Sequence, residues 1–360
     1  MEKNVSIIVP VRNSEKYLKE CLKSLCAQTL KNIEIICINE GSNDQSFEIL
    51  SSFEKKDERI RLVSKINEGY GSALNIGLNL AGGEYVGIVE PLDFVDKKMF
   101  EKLYALSKKC DADIVKSAYF KFFEKTETEA EKKEKISFEK SFKIPNWFFR
   151  IAECPAFFSF HPSIWSSIYK RTFLNNNSIR FVEAKDFSFV DNPFQVETML
   201  LAQKIVYTGS AYYYRRQGIK SKTRLSLKNS TKEDSENVYF EPKTDISKFA
   251  CLFERADEMH EILSRCKNKD RNILANIHKR ELGFIQYILE IAAGNKAAES
   301  GREKLSLDNF DIKNAPYEIQ LRIEKAISRM DGDIIKNNPV FDTMEKNFYS
   351  FLSSSVSNKV

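Results

Sequence analysis

Short apolar runs alternate with amphipathic segments along the first 120 residues. Four runs rich in Val and Ile predict strands, at residues 5–9, 33–38, 60–63 and 85–89. The segments between these runs repeat their apolar residues at helical spacing and predict helices. Strands that alternate with helices of this length form right-handed βαβ crossovers. We therefore expect an α/β fold, with a Rossmann-like, mostly parallel central sheet flanked by helices.

Polar loops follow three of these strands, at residues 10–15, 39–44 and 90–93. Because the carboxyl ends of parallel strands meet at one edge of a sheet, backbone N–H groups in these loops can hold a nucleotide. Glu90 and Asp93 come directly after the fourth strand, where a metal bound to phosphate would lie, although a solvated loop explains the two acids as well. The chain has no GxxxxGK[ST] loop and no complete GxGxxG, so neither a P-loop ATPase nor a NAD dehydrogenase is indicated.

A helix at residues 100–106 and a strand at 113–120 extend the predicted sheet domain. The Lys/Glu-rich stretch 122–143 predicts a solvated excursion on the surface. Aromatic residues are dense after it and leave two uses open: packing on the far side of the sheet, or a wall on which a ligand stacks. Trp165 is the best candidate for such a wall. His161 lies in the same segment and is a second candidate for contact with a ligand, with a structural role as its alternative.

Helical spacing of apolar residues returns beyond residue 225, at 246–263, 273–291 and 317–330. We expect one domain over residues 1–225 and a helical C-terminal extension over 226–360, with a last helix near 341–352. Such an extension can cover the sheet, form a homodimer contact or hold the protein at a membrane.

Composition narrows the class of protein. The net charge is +5, with 56 basic and 51 acidic side chains, which is too balanced to indicate nucleic-acid binding. No apolar run approaches the roughly 20 residues of a membrane span, and the N-terminus enters a strand without a signal peptide. The seven cysteines show no CxxC pair or zinc spacing. These features predict reduced thiols and a cytoplasmic location, with at most peripheral contact with the inner face of the inner membrane.

Several motifs, in order, resemble the bacterial family 2 glycosyltransferases of GT-A fold. They are Val-Ser-Ile-Ile-Val-Pro-Val-Arg-Asn at residues 5–13, Asn-Glu-Gly-Ser-Asn-Asp at 39–44, Gly-Gly-Glu-Tyr at 82–85 and Glu-Pro-Leu-Asp at 90–93. The resemblance is close over residues 1–120, which would bind the nucleotide-sugar, and weaker over the acceptor half, 121–225. It implies a UDP-sugar donor, a divalent metal (Mn²⁺ or Mg²⁺) on an Asp-x-Asp turn, and inversion at the sugar. The acceptor would be a glycan or lipid-linked glycan in surface-polysaccharide synthesis, and Trp165, as a wall on which the sugar stacks, and His161 are the acceptor-side candidates.

The resemblance also assigns residues to the donor. Six positions would line the nucleotide and ribose pocket: Pro10, Val11, Asn13, Glu15, Asn39 and Asn75. Asn39 replaces the acid that faces the base, and Leu74 stands where many members carry arginine. Arg215 or Arg216, with the basic residues 220 and 222, could reach the leaving diphosphate, although an exposed basic loop explains these residues equally well.

The metal turn and the catalytic base depart from the family pattern. Glu90 falls on the first acid of Asp-x-Asp, but Leu92 falls on the second and offers no ligand oxygen. Asp93, one residue later, is therefore the expected main ligand. Asp191 keeps the aspartate that acts as general base, whereas Val190 replaces the glutamate before it. A plain helix N-cap is the alternative for Asp191.

The sequence therefore predicts a metal-assisted hexosyl- or N-acetylhexosaminyltransferase that transfers a sugar to a hydroxyl group. A degenerate relative that binds nucleotide-sugars without turnover is the alternative, because it would account for Leu92, Leu74 and Val190 together.

Overall fold

The structure is a computed structural model, and it describes residues 3–125, 130–140, 147–184, 189–217, 250–267, 270–292 and 317–328. The chain divides into two compact units, Met1–Asn229 and Ser230–Val360. The division lies within residues 218–249, which are outside the described part.

The first unit contains nine strands and six α-helices among its described residues. The strands are β1 (Val5–Val11), β2 (Ile33–Glu40), β3 (Ile60–Lys65), β4 (Tyr85–Ile88), β5 (Phe94–Val95), β6 (Ile114–Phe123), β7 (Lys132–Ile136), β8 (Ser167–Lys170) and β9 (Ile205–Arg216). The helices are α1 (Glu15–Cys26), α2 (Ser46–Glu54), α3 (Tyr70–Leu80), α4 (Met99–Cys110), α5 (Arg171–Asn176) and α6 (Asp191–Leu201).

The first half of the sheet is parallel, as the alternation of strands and helices predicts. Its order is β3-β2-β1-β4, and β1 pairs in parallel with both β2 and β4. All seven residues of β1 are buried, as expected for a strand in the interior of a parallel sheet. Helix α3 packs closely on β1, since a Cβ on Gly77 would lie 2.4 Å from Cγ2 of Ile8.

The second half of the sheet is mixed, which differs from the mostly parallel prediction. β8 is antiparallel to β4 and to β6, whereas β6 and β9 are parallel. Residues 205–216 form the single strand β9, whose pairing with β6 is irregular after Ser117. Within the predicted solvated excursion, β7 pairs antiparallel with β6. Its Lys/Glu side chains are exposed, so the apolar pattern that marks a strand is absent from its sequence.

The second unit is helical where it is described, as its apolar spacing predicts. The helices are α7 (Ala250–Arg265), α8 (Arg271–Ala292) and α9 (Tyr317–Ser328). The helix predicted near residues 341–352 lies outside the described residues. None of the described helices combines the length and the apolar character that crossing a membrane requires.

Candidate functional site

The loops after β1 and β2 are joined by a ladder of hydrogen bonds. The side-chain Oδ1 of Asn13 accepts the N–H of Asn43 at 2.9 Å, and the carboxylate of Glu15 accepts the N–H of Gln45 at 2.9 Å. In return, the N–H of Glu15 donates to Asp44 at 3.0 Å. Asn13 adopts a left-handed φ of 46°, which asparagine tolerates better than most residues. Asn13 and Glu15 therefore hold the two strand-end loops together.

Pro10, Val11 and Asn39 lie side by side at the carboxyl edge of the sheet. Val11 is in register with Asn39 across the parallel pair β1–β2. All three residues are buried, and Oδ1 of Asn39 accepts the N–H of Ser42 at 3.4 Å. The structure thus brings together the predicted donor residues of the first two loops.

Glu40 is a buried acid that was not predicted from the sequence. Its side chain ends β2 and is 1% exposed, and its Oε1 has no hydrogen-bond partner among the described residues. Burial raises the pKa of Glu40 to about 7, although Lys65 and Arg12 oppose the shift. A carboxylate as the last residue of a buried strand is the sequence signal that could have identified it.

We expect Glu40 to make the protein less stable as the pH rises. The pKa of Glu40 is higher in the folded than in the unfolded chain. Its contribution to the free energy of unfolding is therefore complete below about pH 4.5 and is lost by about pH 7. The corresponding loss is about 3 kcal/mol of unfolding free energy. Glu40→Gln should remove this part of the slope when urea unfolding is measured at several pH values. Glu48→Gln, on the exposed face of α2, is the matched control; identical slopes in the wild type and Glu40→Gln would contradict the assignment.

Tyr70 links the predicted metal turn to α3. Its hydroxyl donates a short hydrogen bond to Oε1 of Glu90, which is half-buried at the end of β4. Burial and then the Glu90 carboxylate raise the pKa of Tyr70 well above its usual range. Tyr70 was missed because a phenol between two glycines resembles an ordinary turn residue.

Asp191 lies near the same phenol. It is the first residue of α6 and half-buried, and its negative charge contributes to the raised pKa values of Tyr70 and Tyr169. Nδ2 of Asn192 donates to Oδ1 of Asp191 at 3.0 Å, and the N-cap position before it is Val190, whose side chain has no acceptor. The charge of Asp191 therefore acts on the same phenol that is hydrogen-bonded to Glu90, although the two acids are distant in sequence.

Asn75 fastens the segment before the catalytic candidate to α3. Its amide donates to the carbonyl of Phe181 at 2.9 Å and to Glu183 at 2.8 Å, while its Oδ1 accepts the N–H of Phe181. Gly71 permits this approach, because a Cβ there would lie 1.9 Å from the carbonyl oxygen of Val182. The sequence predicts Asn75 near the donor. The hydrogen bonds of its side chain position residues 181–183.

Asp93 faces inward from the turn that carries Glu90. It is 1% exposed, and its two carboxylate oxygens accept the hydroxyl of Tyr213 and the N–H of Arg216, both at 2.9 Å. Leu92 is also buried, at 5% exposed. Of the two acids predicted to hold metal, only Glu90 has a partly exposed carboxylate, so Asp93 is placed as an anchor of the turn.

The two arginines proposed for the diphosphate have different environments. Arg216 is 2% exposed, and its guanidinium donates to the carbonyl of Leu92 at 2.9 Å and to the carboxylates of Glu20 and Glu124. Arg215 is half-exposed, because successive side chains of a strand point to opposite faces. The buried, fully paired guanidinium of Arg216 therefore does not suit a ligand of the diphosphate. Arg215 is the remaining candidate for that role.

Trp165 lies in the core rather than on an open wall. It is 4% exposed, stacks on Tyr213 at 4.3 Å between centroids and meets Tyr119 edge to face. A sugar ring needs an exposed aromatic face, so the packing alternative fits Trp165 better than the predicted platform.

His161 is exposed in a loop that Lys116 supports. The imidazole Nδ1 accepts the N–H of Ser163 at 2.9 Å. Lys116 is fully buried, and its ammonium donates to the carbonyls of Pro162 and Ser163 at 2.8 Å. Because its side chain is exposed, His161 is the acceptor-side candidate that a ligand can contact.

Comparison with known proteins identifies relatives of this chain. The sequence model of Glycosyl transferase family 2 matches residues 6–174. The uncharacterized glycosyltransferase EpsJ of Bacillus subtilis is 30% identical over 236 residues, which cover 65% of this chain and 67% of EpsJ. Glycosyltransferase GlyA of Streptococcus pneumoniae is 34% identical over 221 residues, 60% of this chain but only 31% of GlyA.

The fold is shared with a solved structure. TarS 1–349 of S. aureus, crystallised in complex with UDP, superimposes with a TM-score of 0.60 at 19% identity, covering 95% of this chain and 91% of TarS 1–349. A complex of the same TarS fragment with UDP-GlcNAc gives a TM-score of 0.59 at 20% identity. The predicted GT-A fold is confirmed, with a mixed rather than mostly parallel sheet.

Proposed function

Because the chain belongs to the family 2 glycosyltransferases, we propose that it transfers a sugar from UDP to a hydroxyl of a glycan, with inversion at the anomeric carbon. The observation that carries the proposal is that the hydroxyl of Tyr70 donates to Glu90 while the negative charge of Asp191 contributes to the raised pKa of the same phenol. One carboxylate lies beside the predicted diphosphate position, and the other can act on the acceptor side. Two carboxylates with separate roles suit a single displacement.

The donor pocket lies in the loops after β1 and β2. Asn39, Asn13 and Glu15 border it, with Val11 and Pro10 in the strand beneath. An amide oxygen can accept the ring N–H of a uracil base, so Asn39 is a workable substitute for an acid. UDP as the nucleotide is supported by the UDP and UDP-GlcNAc complexes of TarS, which has the same fold.

Asp191 removes the proton from the attacking hydroxyl. Its position at the N-terminus of α6 favours the charged carboxylate, which is the form that accepts a proton. The acceptor oxygen then bonds to the anomeric carbon, while the bond from that carbon to the diphosphate oxygen breaks. The bonding pair leaves with UDP, and attack opposite the leaving group inverts the sugar.

A divalent metal, Mn²⁺ or Mg²⁺, fits the donor set through Glu90. Mg²⁺ is commonly held by one or two carboxylates together with substrate phosphates, so one partly exposed acid meets this need. When bound there, the ion would neutralise charge on the departing diphosphate. Tyr70 holds Glu90 in place, and Arg215 adds a positive charge for the phosphates. Asp93, predicted from the sequence as the main ligand, is assigned instead to anchoring the turn, because both of its carboxylate oxygens already accept hydrogen bonds.

Glu90→Gln should weaken UDP binding only when metal is present. The amide keeps the hydrogen bond from Tyr70 but lacks the charge that holds the ion. We expect the Kd for UDP in Mn²⁺ to rise about tenfold, equivalent to about 1.4 kcal/mol, with little change in EDTA. Isothermal titration calorimetry measures both values.

Two further variants test the assignment of the metal ligand. Glu84→Gln, at the opposite end of β4, should bind UDP with wild-type metal dependence. Asp93→Asn should lower the unfolding free energy and keep the metal dependence. If Asp93→Asn abolishes that dependence and Glu90→Gln does not, the ligand is Asp93.

Release of UDP separates a transferase from a degenerate binder. The protein should slowly release UDP from one or more members of a panel of nucleotide-sugars in the presence of Mn²⁺. The alternative is favoured by Leu92 and Val190, which are buried apolar side chains at two positions where the family carries acids. A thermal shift with UDP but no release from any nucleotide-sugar would support the alternative and contradict the proposal.

The acceptor we propose is a glycan or lipid-linked glycan in bacterial surface-polysaccharide synthesis, met at the cytoplasmic face of the inner membrane. His161, exposed beside the aromatic segment, is the proposed acceptor contact. The C-terminal helices are the proposed site of contact with the membrane or with a second copy of the chain.

A further inference from the structure

Two of the three histidines of the chain meet one glutamate in the second unit. His260 lies on α7, whereas His278 and Glu281 lie one turn apart on α8. Nε2 of His260 is 2.9 Å from Oε2 of Glu281, and the two imidazole centroids are 5.5 Å apart. One potential ligand atom from each residue lies within 4.8 Å of the other two.

Burial distinguishes this cluster from a chance group of surface side chains. The Glu281 residue is 1% exposed and His278 is 4% exposed, while the side chain of His260 is 20% exposed. A buried carboxylate is costly unless a positive charge or several hydrogen bonds compensate it. A cation bound by all three residues would add positive charge beside the Glu281 carboxylate.

The spacing of the ligands matches metal sites built between helices. Residues i and i+3 lie on the same face of a helix, so His278 and Glu281 both project toward His260. Two imidazoles and one carboxylate suit zinc and related transition metals, and three protein ligands leave one position for water. Mg²⁺ prefers oxygen ligands and does not fit this set.

We infer that His260, His278 and Glu281 bind one transition-metal ion of the zinc class, which joins α7 to α8. This site is separate in chemistry from the donor site, because Glu90 offers oxygen alone. The ion stabilises the second unit, since it binds the folded arrangement of three ligands and not the unfolded chain. The competing explanation is a His260–Glu281 hydrogen bond with no ion.

Cobalt titration of the full chain tests the site directly. After treatment with chelator and reductant, the wild type should bind one equivalent of Co²⁺ and develop the d–d absorption of a tetrahedral ion. Excess Mg²⁺ should not displace it. Zn²⁺ should displace it and should raise the melting temperature by on the order of 5 °C.

Variants decide between the ion and the hydrogen bond. Glu281→Gln keeps the shape and the hydrogen-bonding capacity of the side chain but removes the anionic ligand; it should weaken Co²⁺ binding about a hundredfold or more. His260→Asn, at the more exposed ligand, should do the same if Glu281→Gln fails to fold by circular dichroism. His161→Ala removes the third histidine and should leave binding unchanged.

Three results would overturn the inference. They are no cobalt band in the wild type, full binding by both Glu281→Gln and His260→Asn, or a thiolate-to-cobalt charge-transfer band. The last would place the ion on cysteine, of which α7 carries Cys251.

Discussion

Asp191→Asn should reduce sugar transfer by about 10²- to 10⁴-fold while UDP still binds with wild-type affinity. An amide cannot take the proton of an attacking hydroxyl, but it leaves the size and position of the side chain unchanged. The measurement is the initial rate of transfer or, before the acceptor is known, of UDP release, together with UDP titration.

The same variant separates catalysis from helix capping. Asparagine is as good an N-cap as aspartate, so a residue that only began α6 would tolerate the change. Asp111→Asn, an exposed acid paired with Lys170, is the matched control and should transfer at the wild-type rate. A wild-type rate for Asp191→Asn would remove it from the role of base.

Arg216→Ala should lower the unfolding free energy of the first unit by about 3 kcal/mol. The guanidinium is buried, donates to the carbonyl of Leu92 and pairs with Glu20 and Glu124. Its loss leaves the turn at residues 90–93 without its main support. The low end of the range for buried ion pairs applies, because both glutamates are partly exposed. Urea unfolding gives the value.

Arg215→Ala is the matched control on the neighbouring position of β9. We expect Arg215→Ala to have near wild-type stability but weaker UDP binding. Arg216→Ala should show the reverse: lower stability, with UDP binding retained in the folded protein. Equal destabilisation by the two variants would contradict the internal role of Arg216. Equal loss of UDP affinity without destabilisation would return Arg216 to the diphosphate.

The sequence predicted the fold well where apolar pattern and burial coincide. Residues 5–9 and 33–38 are β-branched runs, and the parallel strands β1 and β2 contain them. β7 was missed because a strand exposed to water carries Lys and Glu rather than an alternating apolar pattern. The antiparallel placement of β8 depends on contacts between distant segments, which spacing along the chain does not encode.

Residue type identified the chemistry of the site, but burial decided between neighbouring candidates. Glu90 and Asp93 look alike in sequence, and so do Arg215 and Arg216. In each pair one side chain is packed inside and one is partly exposed. Which ligand a carboxylate or guanidinium prefers follows from the residue type alone. Whether the side chain points into the core or toward solvent depends on strand pairing. Tyr70 and Glu40 were overlooked because their environments are created by segments far away in the sequence.

The most direct test is a crystal structure of the full chain with Mn²⁺ and a non-hydrolysable UDP-sugar. The account predicts uracil between the loops at residues 10–15 and 39–44, the diphosphate and metal at Glu90, and the anomeric carbon on the side of Asp191. A nucleotide bound away from these loops, or a sugar with Asp191 outside reach of its acceptor face, would contradict it.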